Sequence, residues 1–536
     1  MIRKTLVVPA ALIGLLAPVL AACGDDSGSD SEGEAIRVGT TDGLMVSKDN
    51  PAPLDPVAAY DINTWNVLQS TFQTLMRMPR TGTEPEPDAA KSCEFTDRQG
   101  EQYRCDLRSG MKFSNGHELT SQDVKFSFDR MLGIRYENGP YSLLTNVDKV
   151  ETPDDKSVVF HLKSPDATFP SKLATPAAAI VDQEVYPAKG FYKGLKIVGS
   201  GPYALDVQTK GGKAVKSVYS RNKHYKGALQ VQNDQVEVSY YKTGVAMEKA
   251  LKGDRIDLMS RSLNPSQVTR LRVRAPKDIK FVEQGGQEIR YLTFNTDDPS
   301  VKNKAVRRAM AQVIDRDQLT REVYQRTAES LYSLIPRGMG GHSTAFYDVY
   351  GDPDPKKAGD ILRGAGIDKP VKVTLSYTTD HYGTVTKQEF ELLQKQLNDS
   401  GLFDAKVKGV PWEQYNPASK RGDYAVYGMG WFPDFADPDN YSAPFFGKDN
   451  FMGKGSPYRN STIDGLITKT RKQVQRERTT KDFEKVQEIM AADVPILPLW
   501  QGKQYVAARD NITGVEWALN ASSTLQMWEL RRGIGE

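Results

Sequence analysis

Cysteine and histidine are scarce in this chain, with three of the first and five of the second in 536 residues. None of His117, His161, His224, His342 and His381 belongs to a His-Glu-x-x-His motif, and no two stand at close ligand spacing. No metal site and no cofactor is therefore expected. A Cys-x-x-Cys redox pair, a phosphate loop and a dinucleotide fingerprint are all missing. Gly199-Ser200-Gly201 lacks the spacing of a nucleophile elbow and runs into Pro202. Asp437-Pro438-Asp439-Asn440 lacks the central glycine and terminal glutamate of a calcium loop. Charge of one sign is missing too: 71 Lys and Arg face 68 Asp and Glu, a net charge of +3. Phosphate backbones demand a clustered basic surface, so nucleic acid is not expected as a partner.

Long apolar runs are absent beyond the first twenty or so residues. There, Arg3 and Lys4 precede an apolar stretch from Leu6 to Leu20, and Leu20-Ala21-Ala22-Cys23 follows at once. The stretch is shorter than the roughly 20 residues that span a bilayer comfortably. A charged start, a short apolar core and small residues before a cut mark a secretory signal over residues 1–22. Leu-Ala-Ala-Cys resembles a bacterial lipobox, which makes Cys23 the expected lipid attachment point. Residues 23–35 are rich in Gly, Ser, Asp and Glu, a solvated tether that builds no core. The expected location is outside the cytoplasm, lipid-anchored at the outer face of the cell membrane.

The rest reads as a globular body. Hydrophobic residues make up 39% and charged residues 26%, which is ordinary, and the length suggests two to four domains at about 100–200 residues each. With Cys23 given to lipid, Cys93 and Cys105 form an even pair in an oxidising compartment. The run from Cys93 through Gln99-Gly100 to Cys105 reads as a hairpin with a cross-strand disulfide; the alternative is two buried thiols. Thr120 to Asp123 forms a capping box that opens a helix with Val124, Phe128, Met131 and Leu132 on one face. Val306, Ala309, Met310, Val313 and Ile314 repeat that spacing. Val371, Val373, Leu375 and Tyr377 alternate as in a half-buried strand. A helix carrying Phe390, Leu393 and Leu397 follows, then a strand from Ala405 to Val410, which makes a βαβ unit. A helix from Thr479 precedes a strand over Pro495 to Trp500, and His161 falls in the alternating run Val158 to Leu162. Gly110 and Gly116 bracket a short buried strand around Phe113. The class is α/β with mixed sheets.

The segment Tyr103-Arg104-Cys105-Asp106-Leu107-Arg108-Ser109-Gly110-Met111-Lys112-Phe113-Ser114-Asn115-Gly116, with Asp123-Val124, resembles the signature of family 5 bacterial extracellular solute-binding proteins. More matches follow in order: Gly199 to Tyr203, Arg221-Asn222, Gly253 to Asp257, Val306 to Ala309, Ile314 to Arg316, Gly430-Trp431 with Asp434 and Asp437-Pro438, and Pro495 to Leu499. Each is weak alone, and the shared order carries the resemblance from about Leu54 to Leu499.

The resemblance implies a type II periplasmic-binding-protein-like fold of the large peptide-binding class, with two lobes, an interlobe cleft and an extra domain. Domain I is expected over 36–75, 195–284 and 501–536, the extra domain over 76–194, and the second lobe over 285–500. It further implies a non-enzymatic receptor, acting as a monomer, that captures di- or oligopeptides and delivers them to the permease subunits of an ABC transporter. In Gly428 to Phe446, glycines, aromatics and carboxylates crowd together. Asp434, three residues after Trp431, is the residue implied to pair with a ligand's amino terminus, while the main chains of Gly430 and Phe432 bond the peptide as an added strand and Trp431 lines the pocket. Asp437 reads instead as a turn cap beside Pro438. The Arg that some tripeptide-favouring relatives carry three residues before this Trp is Gly428 here; Lys420 and Arg421 are the nearby substitutes. Two other readings stand beside this one: a receptor of the same fold for an oligosaccharide or metal chelate, and a secreted hydrolase using Asp434 and Asp437 as an acid–base pair.

Overall fold

The computed structural model describes residues 34–533 apart from 81, 83, 262, 447–449, 451–452 and 521. The expected signal, Cys23 and almost all of the tether lie outside the described residues. No described helix is long and apolar enough to cross a membrane.

The class is α/β with mixed sheets, as the alternating strand and helix patterns require. One large sheet runs through the molecule in the order Phe403–Val410, Val371–Thr378, Val426–Trp431, Ile279–Phe294, Ile496–Arg509, Leu258–Ser260, Ile36–Thr40, Gln235–Tyr240, Lys213–Arg221 and Tyr203–Lys210. Val371–Thr378 and Phe403–Val410 are parallel neighbours, joined through the helix Thr386–Asp399, which is the βαβ unit read from the alternation. The two central strands are long, 16 and 14 residues. Ile279–Phe294 and Ile496–Arg509 pair antiparallel from Ile279 with Arg509 to Thr293 with Ile496, and the register shifts between Gly285 and Ile289. At one end this ribbon joins Leu258–Ser260, and at the other Val426–Trp431. The sequence shows only the apolar start of the second strand, because the polar run Gln501-Gly502-Lys503-Gln504 after Trp500 interrupts the apolar pattern.

A separate four-stranded antiparallel sheet, Ala90–Phe95, Gln102–Leu107, Ser157–Leu162 and Val147–Asp154, carries the disulfide. Cys93 and Cys105 face each other across the first two strands and are bonded. The helix Ser121–Ile134 begins with the Thr120–Asp123 capping box. Phe113 is fully buried, yet it lies in no strand: the chain there forms turns with a lone bridge between Lys112 and Glu118. Gly110 and Gly116 both take positive φ, which coils the segment too tightly for a ladder.

Buried side chains gather into distinct clusters. One runs from Ile289 to Trp500. Another runs from Val57 to Val181 and Tyr186, and takes in one distant residue, Phe435. A third joins Ile36 and Val38 to Val236, Val506 and Leu530. Phe435 is thus a side chain of one lobe seated in the apolar core of the other. Two polar contacts bridge the same gap: the Ala167 N–H donates to the Arg471 carbonyl at 2.7 Å, and the Lys420 ammonium donates to Asn138 at 3.2 Å.

Candidate functional site

The site is built on the end of the strand Val426–Trp431 and the loop after it. Pairing with Val371–Thr378 covers only Val426 and Tyr427, so from Gly428 onward that edge carries no strand partner among the described residues. Two glycines are forced by close neighbours. A Cβ at Gly428 would lie 2.3 Å from the Phe390 ring, and one at Gly430 would lie 2.1 Å from the Arg290 guanidinium. Gly428 therefore has no room for the arginine of the tripeptide-favouring pattern, and Gly430 owes its identity to Arg290. The Tyr382 hydroxyl donates to Met429 Sδ at 3.9 Å on the same strand.

Asn440 organises the loop. Its side-chain oxygen accepts from Trp431 Nε1 at 3.1 Å and from the Asp434 N–H at 2.9 Å, and its amide donates to Asp434 Oδ2 at 3.0 Å. From the opposite lobe, the Tyr60 hydroxyl donates to the same carboxylate oxygen at 3.2 Å. Among the described residues, no Lys, Arg or His lies within ion-pair distance of Asp434. Burial without a cation pushes its carboxyl up to about 7, against the opposing pull of the Asn440 and Tyr60 hydrogen bonds.

Asp437 is held otherwise. It caps the short 3₁₀ turn Pro438–Tyr441 by accepting from the Asp439 N–H at 2.8 Å. Both its oxygens receive Arg476, at 2.7 Å each. Asp439 is likewise taken by Arg471, at 2.9 and 3.0 Å. Asp437 behaves as the turn residue the sequence suggested. Among the described residues, Asp437 lines neither of the two cavities that Asp434 lines.

Asp434, Trp431, Gly430 and Phe432 share an open cavity of about 750 Å³, closed by Tyr60, Trp65 and Trp412. His381, Tyr382 and Phe432 separate it from a second cavity of about 960 Å³ that contains Arg261, Arg290, Glu288 and Lys503. Arg290 pairs with Glu288 and lies against the rings of Tyr382 at 4.2 Å and Trp500 at 5.1 Å. Arg261 pairs with Asp42 and faces Phe432 at 5.0 Å. His381 stacks on Trp412 with ring centroids 3.8 Å apart. Burial, then Arg290 and Arg261, lower its pKa to about 3, so it is neutral. The two cavities differ in charge: Asp434 has no cation beside it, whereas Arg290, Arg261 and Lys503 are each paired with resident carboxylates.

Sequence reasoning missed Arg261, Arg290, His381, Tyr382 and Trp412, which come from separate elements and carry no shared motif. Lys420 and Arg421 end the helix Trp412–Arg421, where Lys420 reaches Asn138 and Arg421 pairs with Asp423 on the surface. Among the described residues, neither lines the Trp431 cavity or the Arg290 cavity.

Comparison with known proteins places this geometry. A profile described as bacterial extracellular solute-binding proteins, family 5 (middle region), matches residues 84–453. The probable D,D-dipeptide-binding periplasmic protein DdpA of Escherichia coli (strain K12) is 26% identical over 490 residues, which cover 88% of this chain and 91% of that one. Heme-binding protein A of Haemophilus influenzae is 25% identical over 535 residues, covering 93% of both. Among solved structures, the ABC transporter-associated periplasmic binding protein DppA from Helicobacter pylori, in complex with the peptide STSA, superimposes with a TM-score of 0.78 at 22% identity, covering 93% of this chain and 98% of that one.

Proposed function

Because the chain belongs to the bacterial extracellular solute-binding proteins of family 5, we propose that it captures short peptides between its lobes and hands them to the permease of an ABC importer. The observation that carries this is the Asp434 carboxylate, half-buried in a cleft wall with hydrogen bonds but no cation. A peptide α-ammonium is the missing charge. It has a reference pKa of about 8, and pairing with it draws the Asp434 pKa down and ionises the carboxylate. The open edge beyond Tyr427 receives the peptide main chain through Gly430 and Phe432. The ligand's anionic end then faces the Arg290 cavity.

The lobes swing about the paired strands Ile279–Phe294 and Ile496–Arg509, whose register shift between Gly285 and Ile289 is a natural flexure. On this reading domain I comprises 36–75, 195–284 and the C-terminal segment, the extra domain 76–194, and the second lobe 285–500. The receptor works as a monomer, tethered by lipid on Cys23 to the outer membrane face, and performs no catalysis. Native mass spectrometry of the purified protein tests the reading. Mass increments of two- to five-residue peptides are expected; a retained sugar or tetrapyrrole, or turnover of an added peptide, would overturn it.

A further inference from the structure

A third cavity opens on the other side of Asp434. Asp434, Gln69 and Ser522 border both this cavity and the Trp431 cavity, whereas Gly430 and Phe432 border only the latter. That partition has a stereochemical consequence. The α-carbon next to an anchored ammonium bears two diverging groups, a carbonyl carbon and a side chain. With the carbonyl directed along Gly430 and Phe432, the space left for the side chain is the third cavity.

Its walls specify what fits. Leu68, Phe72, Leu229 and Trp528 provide apolar surface. The ionisable groups besides Asp434 are Arg77 and Asp88, and both are already engaged. Arg77 pairs with Glu86. Asp88 accepts from the Gln73 amide at 3.2 Å, the Tyr225 hydroxyl at 3.1 Å and the Ala228 N–H at 2.9 Å. A charged side chain entering here gives up its water without gaining a free counter-charge. A large apolar one exchanges water for hydrocarbon contact.

We propose that this cavity holds the side chain of the ligand's first residue and selects bulky, uncharged first residues such as Leu, Met or Phe. The inference rests on Asp434 as the ammonium anchor. Titration calorimetry of ligand-stripped protein with Leu-Ala, Phe-Ala, Gly-Ala, Lys-Ala and Glu-Ala tests it. Leu-Ala and Phe-Ala are expected to bind about 10- to 100-fold more tightly than Gly-Ala, and Lys-Ala and Glu-Ala no more tightly than Gly-Ala. Leu229 lies in a half-buried loop outside any strand, packed on the edge of the third apolar cluster, and Leu229→Trp fills the cavity from there. It should bring Leu-Ala down to the Gly-Ala level and leave Gly-Ala unchanged. Equal affinities across the wild-type series, or an equal loss of Leu-Ala and Gly-Ala in the variant, would overturn the assignment. N-acetyl-Leu-Ala separates the two failures. If it binds as well as Leu-Ala, the anchor falls and the cavity assignment with it. If the free amine is required but first residues are not distinguished, only the cavity assignment falls.

Discussion

Two carboxylates in one loop, Asp434 and Asp437, have opposite surroundings. Asp437 is closed off: it caps a turn and carries Arg476 on both oxygens. Asp434 has amide and phenol donors but no positive charge. Both are pushed up by burial, yet only Asp437 has a resident cation to oppose it. Asp437 is structural, already neutralised by the fold. Asp434, on the proposed reading, is half of an ion pair that a ligand ammonium completes.

The largest effect expected is on binding. Asp434→Ala should weaken peptide affinity by about 2–5 kcal/mol, because it removes one partner of a desolvated charge pair. Calorimetry measures this directly. Asp437→Ala should leave the intrinsic affinity of folded protein within twofold or so; a comparable loss there would erase the contrast.

Stability of the empty protein should respond in the opposite sense. A carboxyl whose folded pKa of about 7 lies above its unfolded value of 3.8 is best accommodated below pH 4. Its contribution declines as pH rises from about 4 to 7, where the folded state binds the extra proton. Asp434→Asn removes that penalty, so the empty variant should exceed wild type at pH 8 by up to about 4 kcal/mol in denaturant melts, and not at pH 4. For Asp437→Ala the expectation is a loss of about 3 kcal/mol, since Arg476 is left half-buried without its partner. If both substitutions destabilise alike, Asp434 is an ordinary structural carboxylate.

The smallest effect marks the region furthest from the contrast. Replacing Cys93 and Cys105 by Ser opens a loop of sequence separation 12. It should cost about 2–3 kcal/mol of stability with peptide affinity unchanged. A change in affinity would mean that the disulfide sheet is coupled to the cleft.

The elements that the sequence displayed well are those written in local chemistry. The Thr120–Asp123 box, the alternation of Val371 to Tyr377 and the facing pair Cys93 and Cys105 each rest on neighbours in sequence. Gly428 and Gly430 were visible as glycines, but not their reasons, because Phe390 and Arg290 arrive from other elements. The Arg290 cavity was hidden for the same cause: Arg290 on the crossing strand, Arg261 after a short strand and Lys503 far downstream meet only through the sheet order. Phe435 reads as one more aromatic in a loop, and nothing local announces that it seats in the opposite lobe. Strand length also escaped detection, since the polar run Gln501-Gly502-Lys503-Gln504 interrupts the apolar pattern of Ile496–Arg509.

The most direct test of the lone carboxylate is a four-way affinity cycle at pH 7.5, with free and N-acetylated forms of one peptide against wild-type protein and Asp434→Asn. If Asp434 pairs with the ammonium, acetylation costs wild type at least about 30-fold, the equivalent of 2 kcal/mol, and costs the variant less than threefold. The same acetylation penalty in both proteins would contradict the pairing and leave Asp434 without its proposed role.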